Sequence, residues 1–265
     1  TDTLSPLVHA APDEESRLFL STQLVDEARH SYFFARFFNE VLGVTGTLSE
    51  TLAKVTERRL QGGYGRIFDP ADGELVTVTE AVRMQPDQYG LWVQAVALYH
   101  LMIEAVLALP GQRRLLRICR ANDLLPGFRT GFTAVTRDES RHVSYGIWAL
   151  REAVRAGQEG DIRTVVDRTL PYCIGVGGNP EVKLPRPADV PPTMRLDPRE
   201  QWSFVVDSIT KRLRSAQVDP AYVADVDARS WKLIWDGVAR YEERQGDEHP
   251  VRAWERGEVE VARAS

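Results

Sequence analysis

The chain contains 265 residues, of which 43% are hydrophobic and 27% are charged, a composition typical of globular proteins with a sizeable core. Its formal net charge of −5 is spread along the sequence without a basic block or stripe, so we expect no nucleic-acid partner. The longest apolar run, residues 101–109, contains Glu104 and ends at Pro110, and is too short to span a membrane. Cys119 and Cys173 offer no disulfide framework, which fits a reducing, cytoplasmic compartment.

Helical periodicity covers most of the sequence and predicts an all-α fold, interpreted as one domain over residues 1–265. Glycines, Asp-Pro and Asp-Gly in 62–80 predict turns. Residues 171–198 hold seven prolines and three glycines, which predicts an extended connection between a core, 1–157, and C-terminal helices, 199–245, before a frayed tail. The predicted helices span about 12–42, 47–61 (with a capping box at 47–50), 86–109, a short segment after 111, 126–156, 199–217 and 220–245.

The pattern Asp-Glu-x-Arg-His occurs twice, at 26–30 and at 138–142, each time inside a long helical pattern. On a helix, residues i and i+3 lie on one face, so the glutamate and the histidine of each motif can reach the same metal ion. One Glu-x-x-His match is weak evidence, but two matches with the same flanking residues are much less probable by accident. We therefore predict four metal ligands, which are Glu27, His30, Glu139 and His142.

The aspartate that opens each motif has a predicted role beside the metal. A ligating imidazole usually donates its second N–H to a carboxylate, which fixes the orientation of the ring. We expect Asp26 and Asp138 to accept these hydrogen bonds, each from the histidine of the opposite helix.

Helix bundles that hold two metals also use single glutamates from two further helices. Glu104 is the candidate, because it is a lone carboxylate in an apolar helical stretch; a solvated helix-end carboxylate is the alternative. His100 lies one turn away and could support the site, or be an ordinary hydrogen-bonded core histidine. No equivalent glutamate precedes the first motif on a separate helix.

Together these motifs resemble the ribonucleotide reductase small-subunit superfamily, and most of all its branch of ligand-binding oxidases, which carry a manganese–iron site and a long-chain fatty acid. The resemblance rests on Asp-Glu-Ala-Arg-His before Phe33-Phe34, on the stretch from Tyr99 to Glu104, and on Asp-Glu-Ser-Arg-His-Val-Ser-Tyr-Gly, and it covers about 1–155. It implies a ferritin-like bundle with additional C-terminal helices, and two metal ions, Fe/Fe or Mn/Fe, that activate O2. The implied metal ligands are Glu27, His30, Glu104, Glu139 and His142.

Other positions refine the resemblance. Tyr99 falls where those oxidases place a tyrosine cross-linked to a valine, with core packing as the alternative. Phe34 occupies the position of the radical tyrosine of the reductase subunits, and the tail 258–265 lacks their aromatic end, so we expect no working reductase subunit. The family's first glutamate and the valine would lie upstream of Thr1, so we expect five protein ligands here, with Asp2 as a weaker substitute for the sixth.

The expected function is that of an oxidase or oxygenase acting on an apolar small molecule, including a fatty acid, in a pocket walled by Phe34, Phe37 and Trp92. We expect a homodimer that does not span a membrane and that uses an electron donor. Desaturases and arylamine N-oxygenases share the motifs; Val135 replaces a third histidine that is common in the latter. Iron storage and a metal-free structural bundle are the alternatives from other classes.

Overall fold

The computed structural model describes residues 3–57, 63–174 and 183–261, and these ranges contain helices and no strand. The all-α prediction is thereby confirmed. Residues Ala97–Ala108 form a π-helix that joins α6 to α7. The α-helices in chain order are α1 (Ser5–His9), α2 (Glu14–Glu40), α3 (Leu48–Glu57), α4 (Gly63–Phe68), α5 (Glu74–Met84), α6 (Tyr89–Val96), α7 (Leu109–Ala121), α8 (Pro126–Arg155), α9 (Glu159–Cys173), α10 (Pro198–Ser215), α11 (Pro220–Gln245) and α12 (Val251–Glu255).

The helices that carry the two motifs, α2 and α8, match their predicted limits closely. The carboxylate of Asp13 caps α2 by accepting a hydrogen bond of 2.7 Å from the Ser16 N–H. The predicted capping box opens α3, since the Thr47 N–H donates to Glu50 Oε2 over 2.8 Å and the Glu50 N–H donates to Thr47 Oγ1 over 3.3 Å. The residues 58–61 predicted for this helix lie outside the described ranges.

Several helices correct the sequence prediction. α4 and α5 lie where turns were expected, and Val78 and Val82, one turn apart, bury the inner face of α5. Pro171, expected in the extended connection, lies within α9, near its end. α12 forms in the tail that was expected to fray. α9 itself was not assigned, although its buried apolar residues repeat at helical spacing, at Ile162, Val165, Val166 and Leu170.

The break predicted near Pro110 is also wrong, because Tyr89–Ala121 is one continuous helical segment. In a π-helix each N–H donates five residues back, so Pro110, which has no N–H, leaves the carbonyl of Ala105 without its donor. The hydroxyl of Ser208 on α10 donates to this carbonyl over 2.5 Å. A tertiary contact therefore supplies the hydrogen bond that the proline removes.

The same segment is long and apolar enough to cross a membrane, with a mean hydropathy of 1.6 over its most apolar window. This corrects the expectation that the apolar stretch around 101–109 is too short to span one. The segment packs against α8, α9 and α10, and 67% of that window is buried inside the protein. Those are the properties of a central core helix in a helical bundle.

The core has two parts. The larger part surrounds α6, the π-helix, α9 and α10, and includes the fully buried Leu98, Leu101 and Met102. The smaller part, called here the phenylalanine cluster, lies between α2, α7 and α8 and consists of Phe33, Phe34, Phe37, Leu116, Phe128, Phe132 and Val135. The predicted metal ligands lie on α2, the π-helix and α8.

Candidate metal centre

The structure brings the five predicted ligand side chains together. Glu27 on α2, Glu104 on the π-helix, and Glu139 with His142 on α8 each offer one ligand atom, and these atoms all lie within 4.8 Å of one another. His30 on α2 adjoins this group, with its Nδ1 3.4 Å from Glu139 Oε1. Four of the five residues are buried, and Glu27 is half-buried.

Two carboxylates link the two imidazoles. The Oε1 of Glu139 lies 3.4 Å from His30 Nδ1, and its Oε2 lies 3.6 Å from His142 Nδ1. Glu27 repeats this arrangement, with Oε2 3.7 Å from His30 Nδ1 and Oε1 3.8 Å from His142 Nδ1. Glu104 Oε1 approaches His142 alone, at 3.6 Å. The cluster therefore has two ends, marked by the Nδ1 atoms of His30 and His142, and the carboxylates of Glu27 and Glu139 lie between them.

The outer nitrogens of the imidazoles pair crosswise with the motif aspartates. His30 Nε2 lies 3.1 Å from Asp138 Oδ2, and His142 Nε2 lies 3.1 Å from Asp26 Oδ2. A carboxylate only accepts hydrogen bonds, so each Nε2 carries a proton and the Nδ1 of each ring faces the cluster. This crosswise pairing is the one predicted from the sequence.

The motif arginines complete the arrangement. Arg141 donates to Asp26 over 3.1 Å and to Asp138 over 2.5 Å, while Arg29 donates to Asp138 over 3.3 Å and also to Asp26. Each aspartate thus accepts hydrogen bonds from one histidine and both arginines. The paired Asp-Glu-x-Arg-His sequences fold into one hydrogen-bonded unit across α2 and α8.

The residues fit a pair of cations. The Nδ1 atoms of both histidines and Oε2 of Glu104 are buried without a hydrogen-bond partner, which is costly unless another group occupies the space between them. Burial acts to lower the pKa of His30 and of His142, but the facing carboxylates outweigh it and raise both pKa values to about 10. Burial raises the pKa of Glu104 to about 8. The site therefore attracts positive charge, as protons or as metal ions.

Gln23 is a site residue that was not singled out from the sequence. Its fully buried side chain donates from Nε2 to Glu104 Oε1 over 2.8 Å, and its Oε1 accepts a hydrogen bond of 2.9 Å from His100 Nε2. Burial and the neighbouring His142 lower the pKa of His100 to about 3, so His100 is neutral. His100 thus acts on the site through Gln23. The available signal was the position of Gln23, one turn before Glu27 on the same stripe.

A close helix crossing positions His100. A Cβ built on Gly146 of α8 would lie 2.2 Å from the Cβ of His100, a distance that real atoms do not adopt. Glycine is therefore required at this position for α8 to approach the π-helix. The same helix approaches α2 at Gly131, where a Cβ would lie 2.3 Å from the ring of Phe33.

Tyr99 faces the cluster. Burial, followed by the charges of Glu27 and Glu104, raises the pKa of its phenol well above the ordinary value. A reactive role for Tyr99, including a cross-link, remains a prediction. Asp2, the alternative sixth ligand, lies outside the described residues.

The predicted pocket residues separate into two groups. Phe34 and Phe37 belong to the phenylalanine cluster, beside α2 and α8. The prediction for Trp92 is wrong, because this residue is buried in the larger core, where its indole N–H donates to the Leu7 carbonyl over 3.0 Å. Its aromatic character is explained by core packing.

An open groove of 740 Å³ runs along α2 beside the phenylalanine cluster. Its floor includes Phe33, Phe37 and Phe128, and its rim includes Arg29 and Tyr32. The groove is lined by residues of α2 and of the first turn of α8, the two helices that carry the Glu-x-x-His motifs.

A helical bundle with two Glu-x-x-His motifs and a further glutamate facing one another is the architecture of di-metal carboxylate proteins. No protein-family model matches the chain. Among solved structures it is similar to an R2-like ligand-binding oxidase with aerobically reconstituted metal cofactor after photoconversion, with 21% identity over 93% of this chain and 74% of that chain and a TM-score of 0.55.

Two variants of the R2-like ligand-binding oxidase give similar values. One, with aerobically reconstituted Mn/Fe cofactor, is 21% identical over 90% of this chain and 73% of that chain, with a TM-score of 0.55. The other, with anaerobically reconstituted Mn/Fe cofactor, is 20% identical over 94% and 74%, with a TM-score of 0.56. These likenesses show a shared fold, so the predicted resemblance and the ferritin-like bundle are confirmed at the level of the fold.

Proposed function

We propose that the protein is an oxidoreductase that binds two metal ions, Fe/Fe or Mn/Fe, and uses O2 as co-substrate. The observation that carries the proposal is the pair of unpartnered Nδ1 atoms, on His30 and His142, linked by the carboxylates of Glu27 and Glu139. Two redox-active ions held in this way can supply electrons to O2 and stabilise the charge that develops.

Each residue has a definite part in this proposal. His30, Glu27 and Glu139 would hold one ion. His142 and Glu104 would hold the other, with Glu27 and Glu139 shared between the two ions. Asp26 and Asp138 fix the rings, and Gln23 fixes Glu104. We propose a role for Tyr99 beside the cluster, supported by the charges of Glu27 and Glu104, which together with burial raise the pKa of its phenol.

The donor set accepts either iron or manganese, because both metals bind carboxylate and imidazole. The Mn/Fe cofactors of the similar oxidases support the mixed pair for this chain as well. The all-iron pair is the alternative, and metal analysis after competitive loading distinguishes them.

The substrate that we propose is an apolar small molecule, with a long-chain fatty acid as one candidate. The groove beside Phe33, Phe37 and Phe128 supports this choice, since an apolar ligand would exchange water for aromatic surface there. Phe34, one turn after His30, belongs to the phenylalanine cluster beside the groove. A desaturase or an arylamine N-oxygenase would need the same features, so substrate screening must include fatty acids and arylamines.

A cytoplasmic homodimer that receives electrons from a separate donor remains our proposal for the assembly. Light scattering should give a dimer mass. A 24-subunit particle would favour iron storage instead.

The proposal is tested by loading metal-free protein with Fe(II), or with Mn(II) and Fe(II), without oxygen, followed by elemental analysis and an O2 electrode. We expect about two ions per chain and O2 uptake that depends on them. Glu139→Ala should lose metal and O2 uptake, while the control Glu243→Ala, at a solvent-exposed position of α11, should keep both. Full metal content in Glu139→Ala, or none in the unaltered protein, would contradict the proposal.

A further inference from the structure

A second cavity, separate from the metal centre and from the apolar groove, lies between α7, α8 and α10 and is bordered by residues 192–197, Trp254 and Val261. Its volume is 1160 Å³, above the range of about 300–1,000 Å³ usual for pockets that take small ligands. None of the five ligand candidates lines it. Its position and its lining residues play no part in the function proposed above.

The cavity concentrates positive charge. α7 carries four arginines and no acidic residue, at Arg113, Arg114, Arg117 and Arg120, which corrects the expectation of an evenly spread charge. Five arginines line the cavity, namely Arg113, Arg117, Arg120, Arg137 and Arg195, with two carboxylates, Asp197 and Glu200. In a chain of net charge −5, this is a local reversal of sign.

The two carboxylates are already engaged. Glu200 accepts a hydrogen bond of 2.6 Å from Arg117, and Asp197 caps α10 and accepts from Arg199 over 2.7 Å. Arg195 donates to the carbonyl oxygens of Val190 and Glu260. These bonds leave three lining guanidinium groups without a carboxylate partner among the described residues, those of Arg113, Arg120 and Arg137.

Aromatic and aliphatic surface lies beside these cations. The guanidinium of Arg113 stacks over the ring of Phe204, 4.6 Å from its centroid, and Trp254 and Leu109 form part of the wall. Guanidinium groups match phosphate oxygens in geometry and charge, and several unpaired ones favour a ligand with more than one negative charge. Flat aromatic walls favour a ligand with an apolar or aromatic body.

We propose that this cavity binds a small organic phosphate, with its phosphate group held by Arg120 and Arg137 and its apolar body against Phe204 and Trp254. The concave, walled shape favours a small ligand over a nucleic-acid backbone, which would need an open stripe of cations. The site is a binding site additional to the metal centre, and it would function whether or not metal is bound.

The test is calorimetric titration of the purified full chain with 1-naphthyl phosphate, with 1-naphthol and inorganic phosphate as partial ligands. We expect one 1-naphthyl phosphate per chain, bound at least tenfold more tightly than either partial ligand. The double variant Arg120→Gln/Arg137→Gln should weaken binding at least tenfold. Arg214→Gln/Arg240→Gln makes the same charge change at exposed positions of α10 and α11 outside the cavity, and should bind as the unaltered protein does.

Circular dichroism should show unchanged helicity in both double variants, because all four arginines are exposed. Undiminished affinity in Arg120→Gln/Arg137→Gln would overturn the proposal. Equal affinity for inorganic phosphate would also overturn it, since the apolar wall would then contribute nothing. Binding of a thymidine dodecamer without binding of 1-naphthyl phosphate would assign the surface to nucleic acid instead.

Discussion

Gln23 joins two polar side chains that would otherwise be buried alone. Its amide group donates to Glu104 and accepts from His100, so both functions of the amide are used at a position with no solvent exposure. Hydrogen bonds to a ligand carboxylate fix its orientation before the metal arrives. The residue therefore matters both to the fold and to the site.

Replacing the Gln23 amide by an apolar group of similar size tests its contribution to stability and its contribution to metal binding. Gln23→Leu should lower the free energy of unfolding of the metal-free protein by about 1–3 kcal/mol, because Glu104 and His100 lose their partner. Metal affinity should fall roughly 10–100-fold. Denaturant unfolding and competitive metal titration measure the two effects.

Gln94→Leu is the matched control, because it removes a hydrogen bond of 2.7 Å to Asp161 far from the cluster. It should lower stability without changing metal affinity. If Gln23→Leu bound metal as tightly as the unaltered protein, Gln23 would have no part in holding Glu104.

The sequence predicted the ligands and the aspartates that accept hydrogen bonds from their imidazoles, but not Gln23. Glu27, His30, Glu139 and His142 could be predicted because helical spacing alone places each pair on one face. The role of Gln23 could not be predicted, because its hydrogen-bond partners, His100 and Glu104, are brought to it only by tertiary packing. Trp92 was assigned to the pocket for its aromatic character, and only the fold shows that it points into the larger core.

At the scale of the element, the sequence predicted a helix over about 86–109 but not the π-helical geometry of Ala97–Ala108. Helical periodicity assumes 3.6 residues per turn. The wider π-helical turn brings residues five apart, such as Tyr99 and Glu104, closer to one side of the helix than an α-helix would. The break predicted at Pro110 failed for a related reason. The donor that replaces the proline N–H comes from Ser208, which lies 103 residues away from Ala105 along the chain.

Ser208→Ala tests this contact. The variant leaves the buried carbonyl of Ala105 without a donor, so the free energy of unfolding should fall by about 1–3 kcal/mol. Ser215→Ala removes an exposed hydroxyl that bonds only to its own helix, at Lys211, and should have little effect. Equal stability of the two variants would show that the carbonyl does not depend on Ser208.

The crossing of α8 and the π-helix gives a second test at this scale. Gly146→Ala would place a methyl group 2.2 Å from the Cβ of His100, so the helices must move apart, at a cost of about 1–3 kcal/mol. The movement should also shift His100 and weaken metal binding. Thermal unfolding and metal titration measure both effects.

Gly160→Ala in α9 is the control, because no atom lies within 4 Å of the added methyl group. It should stabilise the protein by about 0.4–1 kcal/mol, since alanine favours the helix and restricts the unfolded chain. A neutral or stabilising Gly146→Ala would contradict the close contact described here.

At the scale of the whole molecule, two sets of charged residues are arranged differently. Around the metal centre, carboxylates and histidines face inward, with arginines on the outer side of Asp26 and Asp138. Around the second cavity, arginines face an open space with few acidic neighbours. Net charge alone does not reveal either arrangement, because both depend on which helix faces meet. The fold class and the two Glu-x-x-His ligand pairs could be predicted from sequence periodicity, whereas the second cavity depends on the packing of α7, α8 and α10.

The central claim is that two metal ions lie between His30 and His142, and anomalous X-ray diffraction from crystals loaded with Fe(II) tests it most directly. Data collected on both sides of the iron absorption edge should give two peaks roughly 3.5–4 Å apart. One peak should lie next to Nδ1 of His30 and the other next to Nδ1 of His142, with Glu27 and Glu139 between them. Peaks confined to the protein surface, or none at the two imidazoles in crystals of metal-loaded protein, would contradict the account.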